Sequence, residues 1–208
     1  MGDIKLLDKL IENNVKLLDL EWKAFLYGDK DAFAYFYNLY IDDLYHYGTK
    51  IMNDEDSVKD AIQEIFFDLY LKRNTSHTNL NNFKFYLLLA LKRNLIKRLR
   101  KNRRFTEETN IIDFEPEYST ELRIIDIEER EELERKVTKL INELPPKQKE
   151  AIYLRFNQAL EYNEVAKILN VTVETARKQV YRALKAVKNS INSKDLILFY
   201  FLVKNTQS

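Results

Sequence analysis

The chain has no cysteine, and only three glycines, three prolines and two histidines among its 208 residues. Without thiols it forms no disulfide, thiolate metal site or thiol nucleophile. So little glycine and proline argues against a sandwich or barrel, which depends on many tight turns. A bilayer-crossing segment is missing too. The longest apolar run, Leu196–Val203 (LILFYFLV), falls far short of the roughly 20 residues needed. Met1–Leu20 is charged throughout, unlike a secretory signal, so a cytoplasmic location is expected. His46 and His77 lie far apart without ligand spacing, and no clustered carboxylate, histidine or phosphate-loop motif is visible. No metal, cofactor or catalytic residue is therefore expected, and an enzyme acting on nucleic acid lacks its machinery.

What is present points to helices. Hydrophobic residues make up 45% and charged residues 32% of the chain, enough for real cores under a well-solvated surface. Leu, Lys, Glu, Ala and Ile recur in long periodic runs, the signature of an all-α protein. The formal net charge of +1 conceals a partition along the chain. Phe83–Arg104 holds nine bases and no acid, Phe105–Arg135 twelve acids against three bases, and Lys136–Asn192 eleven bases against five acids. Two basic modules around an acidic connector suggest two contacts with one polyanion.

Ile4–Leu26 reads as one or two amphipathic helices with Leu6, Leu7, Leu10, Ile11, Leu17 and Leu18 on the apolar face, ended at Gly28-Asp29. Asp31–Lys50 is a helical run dense in aromatic residues, best explained by burial. Asn53-Asp54 starts a helix over about Asp56–Lys72. Its stripe is Val58, Ala61, Ile62, Ile65, Phe66 and Leu69, with Asp60, Gln63, Glu64, Phe67 and Asp68 outward. Arg73–Asn82 (RNTSHTNLNN) is a polar loop. Phe83–Arg104 is a helix, apolar to Leu91 and basic beyond it. The connector from Phe105 to about Ile125 lacks periodicity and reads as flexible. A helix over about Ile127–Leu144 stops before Pro145-Pro146, and the next runs from near Pro146 to Asn157.

Tyr162–Lys188 (YNEVAKILNVTVETARKQVYRALKAVK) reads as two helices around a polar break. Asn170-Val171 makes the turn, and Thr172 stands at the N-cap of the second helix. Val173, Ala176, Val180, Ala183, Leu184 and Val187 recur at helical spacing and would face a core. Thr175, Arg177, Lys178, Tyr181, Arg182 and Lys185 form the other face. Such a surface suits a DNA major groove, where a bidentate Arg–guanine pair contributes roughly 1–3 kcal/mol of discrimination. Taken alone, a packing unit with a merely solvated charged face is the competing explanation.

GDKDAF at Gly28–Phe33, DAIQEIFFDLY at Asp60–Tyr70 and FKFYLLLALKRNLIKRLRK at Phe83–Lys101 resemble the promoter-opening domain of bacterial RNA polymerase sigma factors. ELPPKQKEAIYLRF at Glu143–Phe156, with the helix pair after it, resembles that family's C-terminal domain. No further domain lies between them, so the match is to the extracytoplasmic-function group, over about Trp22–Ile191. The resemblance implies two small helical domains joined by an acidic flexible connector, the C-terminal one containing a helix-turn-helix. Residues 1–104 would bind core polymerase and melt a −10-type element. Residues 105–135 would form the connector, and 136–208 would read a −35-type element and carry the apolar tail.

Residue by residue, the resemblance implies core-polymerase docking by Asp60, Gln63 and Glu64, which share one helix face. The −10-type element would meet Asn74, Asn79, Asn81, Asn82 and Tyr86, with Lys92, Arg93, Lys97, Arg98, Arg100 and Lys101 on phosphates. The −35-type element would meet Thr172, Thr175, Arg177, Lys178, Tyr181, Arg182 and Lys185. Core RNA polymerase and promoter DNA are the implied partners, with an anti-sigma protein as an allowed third. Two departures stand out. Many members have Asn at the position of Arg93, here one residue later at Asn94. The family's usual Gly and Ser or Thr are replaced by Ala159 and Glu161, which predicts a missing cap and a longer or frayed helix before the pair. A stand-alone helix-turn-helix regulator remains the alternative at this point. The connector is open between tracking a polymerase channel, masking the basic helices and acting as an inert tether. The apolar tail is open between core and a regulator's docking strip.

Overall fold

The computed structural model describes residues 16–73, 80–103, 114 and 139–190. The chain divides into two compact units, Met1–Lys101 and Asn102–Ser208. Every regular element among the described residues is helical. Residues 1–15, most of the connector, the start of the helix expected at Ile127, and the tail from Ile191 lie outside the described residues.

In the first unit, α1 (residues 16–26) buries Trp22 and Phe25 and leaves Leu17 and Leu20 exposed. The aromatic pair anchors this helix; of the leucine face expected from the sequence, Leu17 is exposed and Leu18 half-buried, while Leu6, Leu7, Leu10 and Ile11 lie outside the described residues. Gly28 turns the chain at φ +90°, a conformation glycine adopts without a Cβ penalty. Asp29 then caps α2 (Lys30–Thr49), its Oδ1 accepting the N–H groups of Asp31 and Ala32 at 2.8 and 3.0 Å. Asp54 caps α3 (Glu55–Lys72) through Ser57 in the same way. The expected α3 stripe is buried without exception: Val58, Ala61, Ile62, Ile65, Phe66 and Leu69.

The core is aromatic. Trp22, Phe36 and Phe83 lie edge-to-face, with ring centroids 5.6, 4.9 and 5.5 Å apart. Phe66 of α3 meets Phe33 and Tyr37 of α2 likewise. Each such pair adds roughly 0.5–1.5 kcal/mol beyond its buried area. A Cβ at Gly48 would stand 2.5 Å from Val58 Cγ1, so glycine there sets how closely α2 and α3 approach. A short 3-10 turn, Leu80–Asn82, leads into α4 (Phe83–Arg103). This helix buries Phe83, Leu87, Leu88, Leu91 and Leu95, and Lys84 pairs with Asp43 of α2 at 2.8 Å.

In the second unit, α5 (Pro146–Ile152) begins on proline and widens into a π turn, Tyr153–Asn157. The Gln158 N–H reaches back to the Tyr153 carbonyl at 3.1 Å. The helix is neither frayed nor prolonged, contrary to the expectation from Ala159 and Glu161. Ala159 instead takes a left-handed φ of 54°, and the Glu164 carboxylate accepts the Glu161 N–H at 2.8 Å, closing the start of α6 (Tyr162–Leu169). Asn170 ends α6 in the left-handed conformation, with the Val171 N–H on the Ala166 carbonyl at 3.0 Å. Then α7 (Val173–Ser190) packs Ala183 and Val187 against Ile141, Leu144 and Ile152. Phe114, the one described residue of the connector, is buried with its ring 5.8 Å from Tyr153. At that point the connector is packed rather than free.

Candidate nucleic-acid interface

The outer face of α7 follows from its apolar stripe. Ala176, Val180, Ala183 and Val187 are buried, and 3.6-residue periodicity turns Arg177, Lys178, Tyr181, Arg182 and Lys185 outward, all exposed. Val173, expected in the core, is 40% exposed because the helix starts there, before the stripe reaches the neighbouring helices. Thr172 caps α7, its Oγ1 accepting the Thr175 N–H at 3.1 Å, and the two hydroxyls are 2.9 Å apart. Both threonines are therefore engaged in the cap, which directs the helix rather than presenting free hydroxyls. Lys178 pairs with Glu174 one turn earlier, an exposed pair of small energetic weight.

In α4 the basic residues sort by burial. Arg93, Lys97, Arg100 and Lys101 are exposed and recur at i, i+4, i+7 and i+8, one continuous face suited to a phosphate backbone. Lys92 is only 8% exposed, so it leaves that surface set. Tyr86 is half-buried and Asn82 exposed. Asn74, Asn79 and the side chain of Asn81 lie outside the described residues.

Arg98 and Glu64, expected to serve DNA and polymerase separately, meet each other. Arg98 Nη2 donates to Glu64 Oε2 at 2.8 Å, Asn94 Nδ2 donates to the same oxygen at 3.0 Å, and Arg98 Nε donates to Asn94 Oδ1 at 2.7 Å. The Asn94 amide, and then the Arg98 guanidinium, hold the Glu64 carboxyl below its ordinary range. The amide shifted by one position is thus a strut between α3 and α4, and Arg93 occupies the surface in its place.

Asp60 and Gln63 are exposed on α3, as is Glu64 apart from its bonds to α4. Sequence reasoning placed Phe67 outward but gave it no role, and Leu71 was not singled out. They are 62% and 59% exposed and continue the same face at i+7 and i+11 from Asp60. An apolar pair displayed beside carboxylates is a surface for a partner with both basic and apolar groups. The missed signal was the spacing itself. No helix among the described residues is long and apolar enough to cross a membrane, and no described group of His, Asp or Glu has the arrangement of a metal site.

Comparison with known proteins bears on both units. A family model described as Sigma-70 region 2 matches residues 36–105, and one described as Sigma-70, region 4 matches residues 134–187. The chain is 28% identical over 170 residues to the ECF RNA polymerase sigma-E factor of Haemophilus influenzae, covering 79% of this chain and 89% of that protein. It is 24% identical over 175 residues to the ECF RNA polymerase sigma factor SigW of Bacillus subtilis, covering 79% and 91%.

Proposed function

From the chain's membership in the sigma-70 family, in its extracytoplasmic-function group, we infer how its two units share the work of a sigma factor. The protein binds core RNA polymerase and directs promoter-specific transcription initiation. The observation that carries this is the occurrence of both sigma-70 regions, in order, on one chain.

In our reading, residues 1–104 dock on core and open a −10-type element, and residues 136–208 read a −35-type element across the 105–135 connector. The exposed α3 face of Asp60 and Gln63, flanked by Phe67 and Leu71, supports docking. Exposed cations on α4 (Arg93, Lys97, Arg100, Lys101) and α7 (Arg177, Lys178, Arg182, Lys185) support the two DNA contacts. Each contact alone is modest, and polymerase fixes their spacing, so binding is effectively bivalent. The protein itself catalyses nothing and acts in the cytoplasm, where an anti-sigma protein is a fitting regulator.

Runoff transcription with purified core polymerase and a promoter library tests this. Template-specific initiation that depends on the protein is expected. Specific duplex binding without core, and no initiation, would instead identify a stand-alone regulator.

A further inference from the structure

Phe114 belongs to the connector and lies outside both matched stretches, yet its ring is only 1% exposed. Its centroid stands 5.8 Å from that of Tyr153, which is itself buried. Gln158 holds Tyr153 at two points, its Nε2 donating to the phenol oxygen and its N–H to the carbonyl, both at 3.1 Å. Glu150 to Leu154 are all buried, a run longer than one helical turn, so every side of the chain is covered there. Residues of α7 cover Ile152, and Phe114 covers the Tyr153 ring. Phe114 is therefore a core residue of the second unit, whose bounds reach back to Asn102.

That seat divides the connector. Ten residues separate Arg103, at the end of α4, from Phe114, and 24 separate Phe114 from Lys139. The ten-residue bridge reaches at most about 40 Å, whereas the full 35 residues between Arg103 and Lys139 reach about 120 Å. Elements at −10 and −35 lie about 25 base pairs apart, roughly 85 Å along B-form DNA. With Phe114 seated, the bridge covers less than half of that distance, and the bodies of the two units must supply the rest. With Phe114 released, the connector alone exceeds it. A longer tether gains little entropy, because closure entropy grows only with the logarithm of length. Exposing a buried phenyl ring costs more, so the seat holds against that gain.

We propose that Phe114 anchors the connector on Tyr153 and so sets the longest spacing between the two promoter elements at which the protein initiates. This rests on the reading of the two units as the −10-type and −35-type contacts. Phe114 is a positioning residue: buried, it has no access to DNA, and it acts by fixing where the bridge joins the second unit. Polymerase holds both units, and the short bridge limits the separations at which both are held together. The 24 residues beyond the seat form a closed loop that leaves this reach unchanged.

The test uses the full-length protein assembled with core polymerase, in runoff transcription from promoters whose two elements are moved apart in single base-pair steps. At the spacings where wild type falls off, Phe114→Ser should give severalfold more product. Phe114→Leu, which refills the seat, should keep the wild-type profile. An insert of about ten flexible Gly-Ser residues between Thr109 and Asn110 lengthens the bridge and should act like Phe114→Ser. The same insert between Ser119 and Thr120 enlarges only the loop and should leave the profile as in wild type. In a Phe114→Ser background the two inserts should act alike. Unchanged core affinity and a cooperative melting transition identify folded variants, and the inserts, which leave Phe114 in place, decide the matter if Phe114→Ser does not fold. Equal effects of the two inserts in wild type, or a wild-type profile for folded Phe114→Ser, would overturn the proposal. Product that ignores the upstream bases at every spacing would overturn it through the reading of the second unit.

Discussion

At the scale of single residues, position within a helix mattered less than partners across it. Glu64 and Arg98 are both polar, both on helix faces facing away from the core, and legible as separate surface groups until Asn94 is seen joining them. Their contact is largely exposed, so its worth is small, about 0.5–1 kcal/mol. Glu64→Gln should lose that amount at pH 7, measured by denaturant unfolding. The carboxyl is held below its ordinary range in the fold. Its stabilisation is therefore complete above the unfolded value near 4.3 and disappears as pH falls through the lower folded one. Wild type and Glu64→Gln should converge in stability on acidification; a constant gap would show that the pair does not act through charge. Phe67, 62% exposed, offers the opposite case. Phe67→Ser should alter stability by less than about 0.5 kcal/mol yet weaken core-polymerase binding in a pull-down titration.

At the scale of elements, caps and turns decide where α7 points. Thr172 was legible as its cap because a threonine stood just before the periodic stripe, and its hydroxyl does bond the Thr175 N–H. Thr172→Ala should cost about 1 kcal/mol, seen as a lower melting temperature, and should loosen the first turn of α7. The segment before α6 was not legible. Nothing in the periodicity of Pro146–Asn157 marks a π turn, which arises because Tyr153, Leu154 and Asn157 are all drawn into the interior. Nor did Ala159 show that it holds a left-handed φ. Ala159→Gly removes a steric cost of about 1–2 kcal/mol but restores entropy to the unfolded chain. A net gain of up to about 1 kcal/mol is expected, and destabilisation would mean the turn is not strained.

At the scale of the whole molecule, function depends on separable contacts. Added positive charge tests this best at Asp60 and Gln63, since Glu64 also ties α3 to α4. Asp60→Lys with Gln63→Lys should reduce core binding and runoff product together while leaving the melting temperature unchanged. If the melting temperature falls as well, the face is structural rather than a docking surface.

The sequence by itself determined the helical class, the α3 and α7 stripes, the helix start at Asn53-Asp54, the cap at Thr172, and the order of the basic segments. Each of these follows from local periodicity or from a side chain reaching its own backbone, and both are written in spacing. Only the tertiary structure decided that Trp22 and Phe25 anchor α1, that Lys92 is buried, and that Phe114 packs on Tyr153. It alone brought Glu64, Asn94 and Arg98 together, and Arg155 and Arg177 onto Tyr162. Those groups lie on different elements, and residues distant in sequence become neighbours only when packing brings their helices together.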